Sequence, residues 1–230
     1  MSGVFGAYSK NNKSVLEEVY LGLYALQHRG QESAGIAWTE NGRVVSMRGM
    51  GLLHSAIDQQ KLAEQSARCA IGHVRYMPIN GSQLHNVLPL GANYARGPVA
   101  ISHDGLVTNL PELTRQLELR GAIFHSSTDS EAIVHLMAQK SHMLPIDALI
   151  DALKRVEGSY AMTAMLGDTL VAARDRWGFK PLVIGEKDGT YYVASESCAL
   201  DIVGARLLRD VEPGEIIVID ERGLRSLRTS

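Results

Sequence analysis

The chain is poor in cysteine. It has two in 230 residues, Cys69 and Cys198, both in apolar surroundings. No CxxC pair is present, and both read as reduced core thiols of a cytoplasmic protein. It also lacks an excess of either charge. Lys and Arg total 23 against 25 Asp and Glu, a formal net charge of -2. No basic field invites nucleic acid, and no polybasic run suggests a membrane surface. No apolar run reaches the ~18 residues needed to span a bilayer. The N-terminus shows no charged leader followed by an apolar stretch, so no secretory signal is expected. Neither a phosphate-binding glycine loop nor HExxH occurs, and no cofactor or metal is expected. Without repeats, low-complexity segments or linkers, residues 1–230 read as a single domain.

What is present is a clear succession of elements. "VFGAY" reads as a strand. "SVLEEVYLGLYALQHRG" reads as a helix, with Ser14 and Glu17 at capping-box spacing and Gly30 as its stop. Asn41-Gly42 suits a tight hairpin turn, because both turn residues need positive φ. "CAIGHVRY" and "VAISHDG" are apolar strands that end in polar residues. Helices are predicted from near Asn109 to Gly121, from near Asp129, and from Pro145 to Val156. The last third reads as a β-meander, with turns at Gly167-Asp168, Asp188-Gly189 and "DERG". Strands, then helices, then strands predict an α+β fold: two sheets with helices outside.

Polar clusters interrupt these patterns: Ser2 at the N-terminus, "QHRGQESAG", "GHVRY", "SHDGLVTN" and "SSTDSE". Singly, each has a plain structural explanation. Arg29 suits a helix C-terminus, where the dipole favours a cation. Arg75 at a strand end suits a surface ion pair. Asp129 suits a helix N-cap. His28, His73, His103 and His125 suit hydrogen-bonded core or rim positions.

Together the clusters resemble the glutaminase domain of class II glutamine amidotransferases, and most closely that of the amidophosphoribosyltransferases. "YLGLYALQHRGQESAGIA", "IGHVRY", "TDSEAIVHL", "ARDRWGFKPLVIG", "ASESCALD" and "VEPGEIIVID" follow that family's order along the whole chain. The resemblance implies a four-layer αββα N-terminal-nucleophile hydrolase fold, with two antiparallel sheets stacked between helical layers. It also implies a link to purine biosynthesis and glutamine, or a similar α-amino acid, as ligand. In that family an N-terminal cysteine, freed of its methionine, attacks the glutamine amide with its own α-amine as base. An α-amine has a pKa of roughly 7.7–8.0 and so accepts protons near neutrality. Carried over, Arg75 matches the arginine that binds the substrate carboxylate. Asp129 matches the aspartate that binds its ammonium. Gly105 matches the glycine whose N–H faces the oxyanion, and Arg29 the arginine beside the nucleophile.

Three departures meet at this site. Ser2 stands where the family has cysteine. Serine serves as nucleophile in other N-terminal-nucleophile hydrolases, and its small size permits methionine removal, yet its hydroxyl depends wholly on its base. Asp104 replaces an asparagine whose amide donates to the oxyanion; an ionised carboxylate donates nothing and repels the developing charge. Met77 and Pro78 replace small hydroxyl residues that help hold the substrate carboxylate. The resemblance also ends where the family's glutaminase domain ends, with no phosphoribosyltransferase domain following. The expectation is therefore a stand-alone glutaminase-fold protein, impaired in glutamine hydrolysis and acting as an amino-acid-binding or partner subunit. The alternative is an active Ser2 amidohydrolase, or an amidotransferase subunit that passes ammonia to a separate acceptor synthetase or transferase.

Overall fold

A computed structural model describes residues 1–76 and 83–228. The first half alternates strands with short helices: β1 (Gly3–Ser9), α1 (Leu16–Ala25), β2 (Ser33–Glu40), β3 (Arg43–Met50), α2 (Leu53–Ala56), α3 (Gln59–Ala63), β4 (Cys69–Arg75), β5 (Leu90–Tyr94) and β6 (Gly97–Val107). Three helices follow: α4 (Leu110–Glu118), α5 (Asp129–Ala138) and α6 (Pro145–Lys154). The last third holds β7 (Gly158–Leu166), β8 (Thr169–Arg174), β9 (Val183–Lys187), β10 (Thr190–Ala194), α7 (Cys198–Ile202), β11 (Arg206–Asp210), β12 (Glu215–Asp220) and β13 (Gly223–Arg228).

Two antiparallel sheets result. One has the order β11-β9-β10-β1-β4-β2-β3 and the other β13-β12-β8-β7-β6-β5. The period of two along each strand decides which face each residue serves. Val4, Tyr8, Ile71, Ala100, Ala161, Met165, Ile184 and Ile217 meet between the sheets. Phe5, Trp38, Ala70 and Tyr192 face the other way, against Leu16, Val19 and Leu23 of α1 and Leu200 of α7. Val99, Ile101, Met162 and Val171 likewise face Leu117, Ile133 and Leu149 of α4, α5 and α6. Three apolar interfaces thus separate four layers, as expected. Each fully buried aliphatic or aromatic side chain contributes roughly 1.5–3 kcal/mol to that assembly.

The last third is not one meander. β7, β8, β12 and β13 join the second sheet, while β9, β10 and β11 join the first. Local turn chemistry sets the hairpins: Asn41 and Gly42, and Asp188 and Gly189, all have positive φ. It does not assign each hairpin to a sheet. The predicted capping box also does not form. Val15 is the N-cap of α1, and Ser14 Oγ accepts instead from the Ala67 N–H at 3.4 Å. At the other end α1 runs into a 3₁₀ turn over Gln27–Arg29, and Gly30 is extended rather than left-handed. Gly30 is needed for closeness, since a Cβ there would stand 2.4 Å from the Arg75 carbonyl carbon. No helix of the described residues is long and apolar enough to cross a membrane.

Candidate functional site

β1 and β4 run antiparallel with Gly3 opposite Val74. Ser2 therefore arrives beside the end of β4, where Arg75 and Tyr76 follow. Ser2 shares the strand parity of Val4 and points between the sheets. Asp104 on β6 shares the parity of Ala100 and points back from the opposite sheet. The two meet: the Ser2 N–H donates to Asp104 Oδ1 at 2.8 Å. A cavity of about 330 Å³ opens here, lined among others by Ser2, Arg75, Asp104, Gly105, Asp129 and Lys180. Every site residue expected from the sequence lines it except Arg29, which lies buried behind.

Arg29 holds the start of the chain before β1 in place. Its Nε donates to the Ser2 carbonyl at 2.7 Å and its Nη2 to Asp104 Oδ2 at 2.9 Å. Its Nη1 donates to Glu196, which also takes His28 Nε2 at 3.0 Å. Burial pushes the Glu196 carboxyl up, but hydrogen bonds and charge from Arg29 and His28 outweigh it and keep the carboxyl below the usual glutamate value. Arg29 is thus a site cation rather than a dipole-capping one. Both Asp104 oxygens accept hydrogen bonds, so the carboxylate offers no donor toward the cavity. Its charge is not bare, however. Arg29 contacts one oxygen, and Lys180 Nζ lies 3.8 Å from the other. The repulsion expected from the sequence is therefore partly cancelled by two cations.

The opposite wall carries the ligand-binding candidates. Asp129 is the first residue of α5 with Thr128 as N-cap, so the N-cap explanation of Asp129 does not hold. Its Oδ2 accepts from the Val107 N–H at 2.8 Å and lies 3.3 Å from His103 Nε2. Burial pushes this carboxyl up; His103 and the Val107 N–H outweigh it, and it stays below the usual aspartate value. Asp129 is therefore an anion at neutral pH. The loop before it is fixed by Glu131, which accepts from the His125 and Ser126 N–H groups at 2.7 and 2.6 Å. His73 Nε2–H donates to the His103 carbonyl at 3.1 Å. Burial, with the charges of Arg75 and His103, pushes His73 down to about 3, so it stays neutral. The Ser2 hydroxyl oxygen accepts a long hydrogen bond, 3.4 Å, from the Tyr76 N–H. Met77 and Pro78 lie outside the described residues.

Two positioning residues escaped the sequence reading. Asn86 receives the Arg75 Nη1 bond on its carbonyl at 2.6 Å. Its amide donates to Ser127 Oγ at 3.0 Å and accepts from the Ser127 N–H at 2.9 Å. It thereby ties the Arg75 wall to the loop that starts α5. Arg174 is the second. It donates to the carbonyls of Gly178, Lys180 and Val211 at 2.7–2.9 Å and so fixes the loop that presents Lys180. Asn86→Ala keeps the backbone carbonyl that accepts from Arg75 but removes both side-chain bonds to Ser127, so the Arg75 wall is no longer tied to the loop that starts α5. Affinity for an α-amino acid held between Arg75 and Asp129 is expected to fall about tenfold, roughly 1–2 kcal/mol for a buried hydrogen-bond pair. Titration calorimetry checks it.

Comparisons with known proteins agree with the fold. Residues 85–201 match the family model described as "Glutamine amidotransferase domain", just over half of the chain. The amidophosphoribosyltransferase of Methanocaldococcus jannaschii is 41% identical over 223 residues, which cover 96% of this chain and 47% of that protein. The solved glutamine phosphoribosylpyrophosphate amidotransferase of B. subtilis, complexed with ADP and GMP, superposes with a TM-score of 0.91 at 38% identity, over 99% of this chain and 49% of its own. A class II glutamine aminotransferase domain protein from Silicibacter pomeroyi shares the fold, with a TM-score of 0.68 at 17% identity over 99% of both chains. The chain spans about half the length of the curated relatives it matches. Its two stacked antiparallel sheets between helical layers are the N-terminal-nucleophile hydrolase fold, and the chain belongs to the glutamine amidotransferase domain family.

Proposed function

We propose that this domain binds glutamine, or an α-amino acid of similar shape, and hydrolyses it slowly. Arg75 takes the carboxylate and Asp129 the ammonium. The observation that carries this reading is the shared cavity: Ser2, Arg75 and Asp129 line one space, while Asp104 there uses both oxygens as acceptors. An oxyanion formed at Ser2 would find the Gly105 N–H but no amide at 104. Losing one such donor typically costs ~10²–10³ in rate. Ammonia released here would serve an acceptor enzyme or domain, and the kinship with amidophosphoribosyltransferases points to purine synthesis.

The experiment pairs calorimetry with glutamine and an ammonia-and-glutamate assay. Wild-type protein should bind glutamine. Arg75→Leu should bind at least tenfold more weakly, because a charge-assisted carboxylate pair contributes about 1.5–3 kcal/mol. Turnover should lie far below the ~10 s⁻¹ typical of enzymes. No binding to the wild type would sink the ligand assignment, and turnover near 10 s⁻¹ would sink the impairment. That last outcome would favour a second reading, an active Ser2 hydrolase. One observation supports it: Arg29 and Lys180 offset the Asp104 charge.

A further inference from the structure

We propose that Asp104 is the counter-ion of the Ser2 α-amine once Met1 is removed, holding that amine in place and keeping its proton on to higher pH than a neutral residue at 104 would. This deepens the reading above, in which Ser2 is the nucleophile, and takes its free amine as the base, as the family resemblance implies.

The geometry is already set with Met1 attached. The Ser2 nitrogen sits 2.8 Å from Asp104 Oδ1. Arg29 fixes the Ser2 carbonyl, and Gly3 is paired with Val74. None of these contacts uses Met1. Hydrolysis of the Met1–Ser2 peptide bond turns the same nitrogen into an amine without requiring it to move. It then faces a carboxylate at hydrogen-bond distance, which favours the ammonium form.

The surrounding charges come from every neighbouring element. Asp104 on β6 is in direct contact. Arg29, in the turn after α1, lies behind Asp104 and shares its charge with Glu196, which precedes α7. Lys180, after β8, approaches Asp104 Oδ1. Across the cavity stand Arg75 and the neutral His73 of β4, His103 of β6 and Asp129 of α5. The amine of Met1, one residue further out, already senses this arrangement. Burial lowers its pKa, Asp104 raises it, and Lys180 and Arg29 lower it. The Ser2 nitrogen is in contact with the carboxylate itself. An ammonium has no lone pair to take the Ser2 hydroxyl proton, so Asp104 postpones activation of the nucleophile to higher pH.

The test uses the full chain released from an N-terminal fusion so that it begins at Ser2, with its mass verified. Periodate cleaves an N-terminal serine only when its amine is unprotonated. The cleavage rate against pH, read by intact mass, therefore titrates this one group. Asp104→Asn should move the inflection down by about one pH unit, a tenfold gain in free amine below it. Lys180→Met should move it up, because a cation is lost. An inflection that stays in place in a folded Asp104→Asn protein overturns the proposal. If that variant does not fold, an inflection that fails to rise in Lys180→Met overturns it equally. The readout needs no glutamine, so a protein that neither binds nor cleaves glutamine still tests Asp104, and the two readings fail separately.

Discussion

Glutamine hydrolysis is expected to rise by about two to three orders of magnitude when Ser2→Cys and Asp104→Asn are combined in the methionine-free chain. Under the proposed function, each change repairs a different deficit. A thiol is a few per cent ionised at neutral pH and is intrinsically a strong nucleophile, whereas a hydroxyl waits on its base. An asparagine can keep its carbonyl on Arg29 Nη2 and turn its amide N–H₂ toward the cavity, adding the donor that the carboxylate lacks. Arg29 tolerates the loss of its charged partner because it keeps Glu196 and the Ser2 carbonyl. The nucleophile and the oxyanion donor act on one intermediate, so the single variants should each gain much less than the product implies. Release of ammonia and glutamate measures the effect. A correctly processed, folded double variant that is no faster than wild type would mean that the cavity is not shaped for glutamine.

The sequence revealed layers and candidate residues more readily than pairings. Strand periodicity and the three central helices follow from local apolar spacing, so two sheets with helices outside were legible; the four-layer stack came from the family resemblance. The membership of β9, β10 and β11 was not, because sheet assignment depends on which edge is free when the chain returns. The ligand-binding candidates were legible only through the motifs that contain them. Asn86 follows a polar stretch without periodicity, and nothing local shows that it bridges Arg75 to Ser127. Lys180 sits in "RDRWGFKPL" as one cation among several. Its ion pair with Asp104 crosses 76 positions of sequence and is created by the Arg174 clasp on the loop. The same limit explains the overestimated repulsion at Asp104: the carboxylate was visible in the sequence, but its two cations come from distant segments.

Gly105→Ala is the single substitution expected to harm the molecule most. Gly105 has φ 155°, in the region that only glycine occupies readily. A Cβ there would lie 1.9 Å from the Ser159 carbonyl oxygen and 2.8 Å from Tyr160 Cα. Both belong to β7, which pairs with β6 over nine successive positions from Val99 to Val107. That strand cannot retreat without giving up its ladder. Backbone strain of about 1–3 kcal/mol and steric displacement of about 1–3 kcal/mol should together cost roughly 2–6 kcal/mol. At ~2–4 °C per kcal/mol for a chain of this size, melting should fall by about 5–20 °C. Gly97, at the start of the same strand, is the control. Its φ is 111°, yet nothing lies within 4 Å of a Cβ there. Gly97→Ala should therefore show the conformational cost alone and melt well above Gly105→Ala. The position also matters for the proposed chemistry, because Gly105 lines the same cavity as Ser2. Under the proposed function, whatever folded Gly105→Ala protein remains should lose hydrolysis beyond its loss of stability, since β6 must shift at the cavity wall. Melting and residual turnover both equal to wild type would mean that β6 and β7 part easily here, and that this strand end is not the rigid wall that the proposed hydrolysis needs.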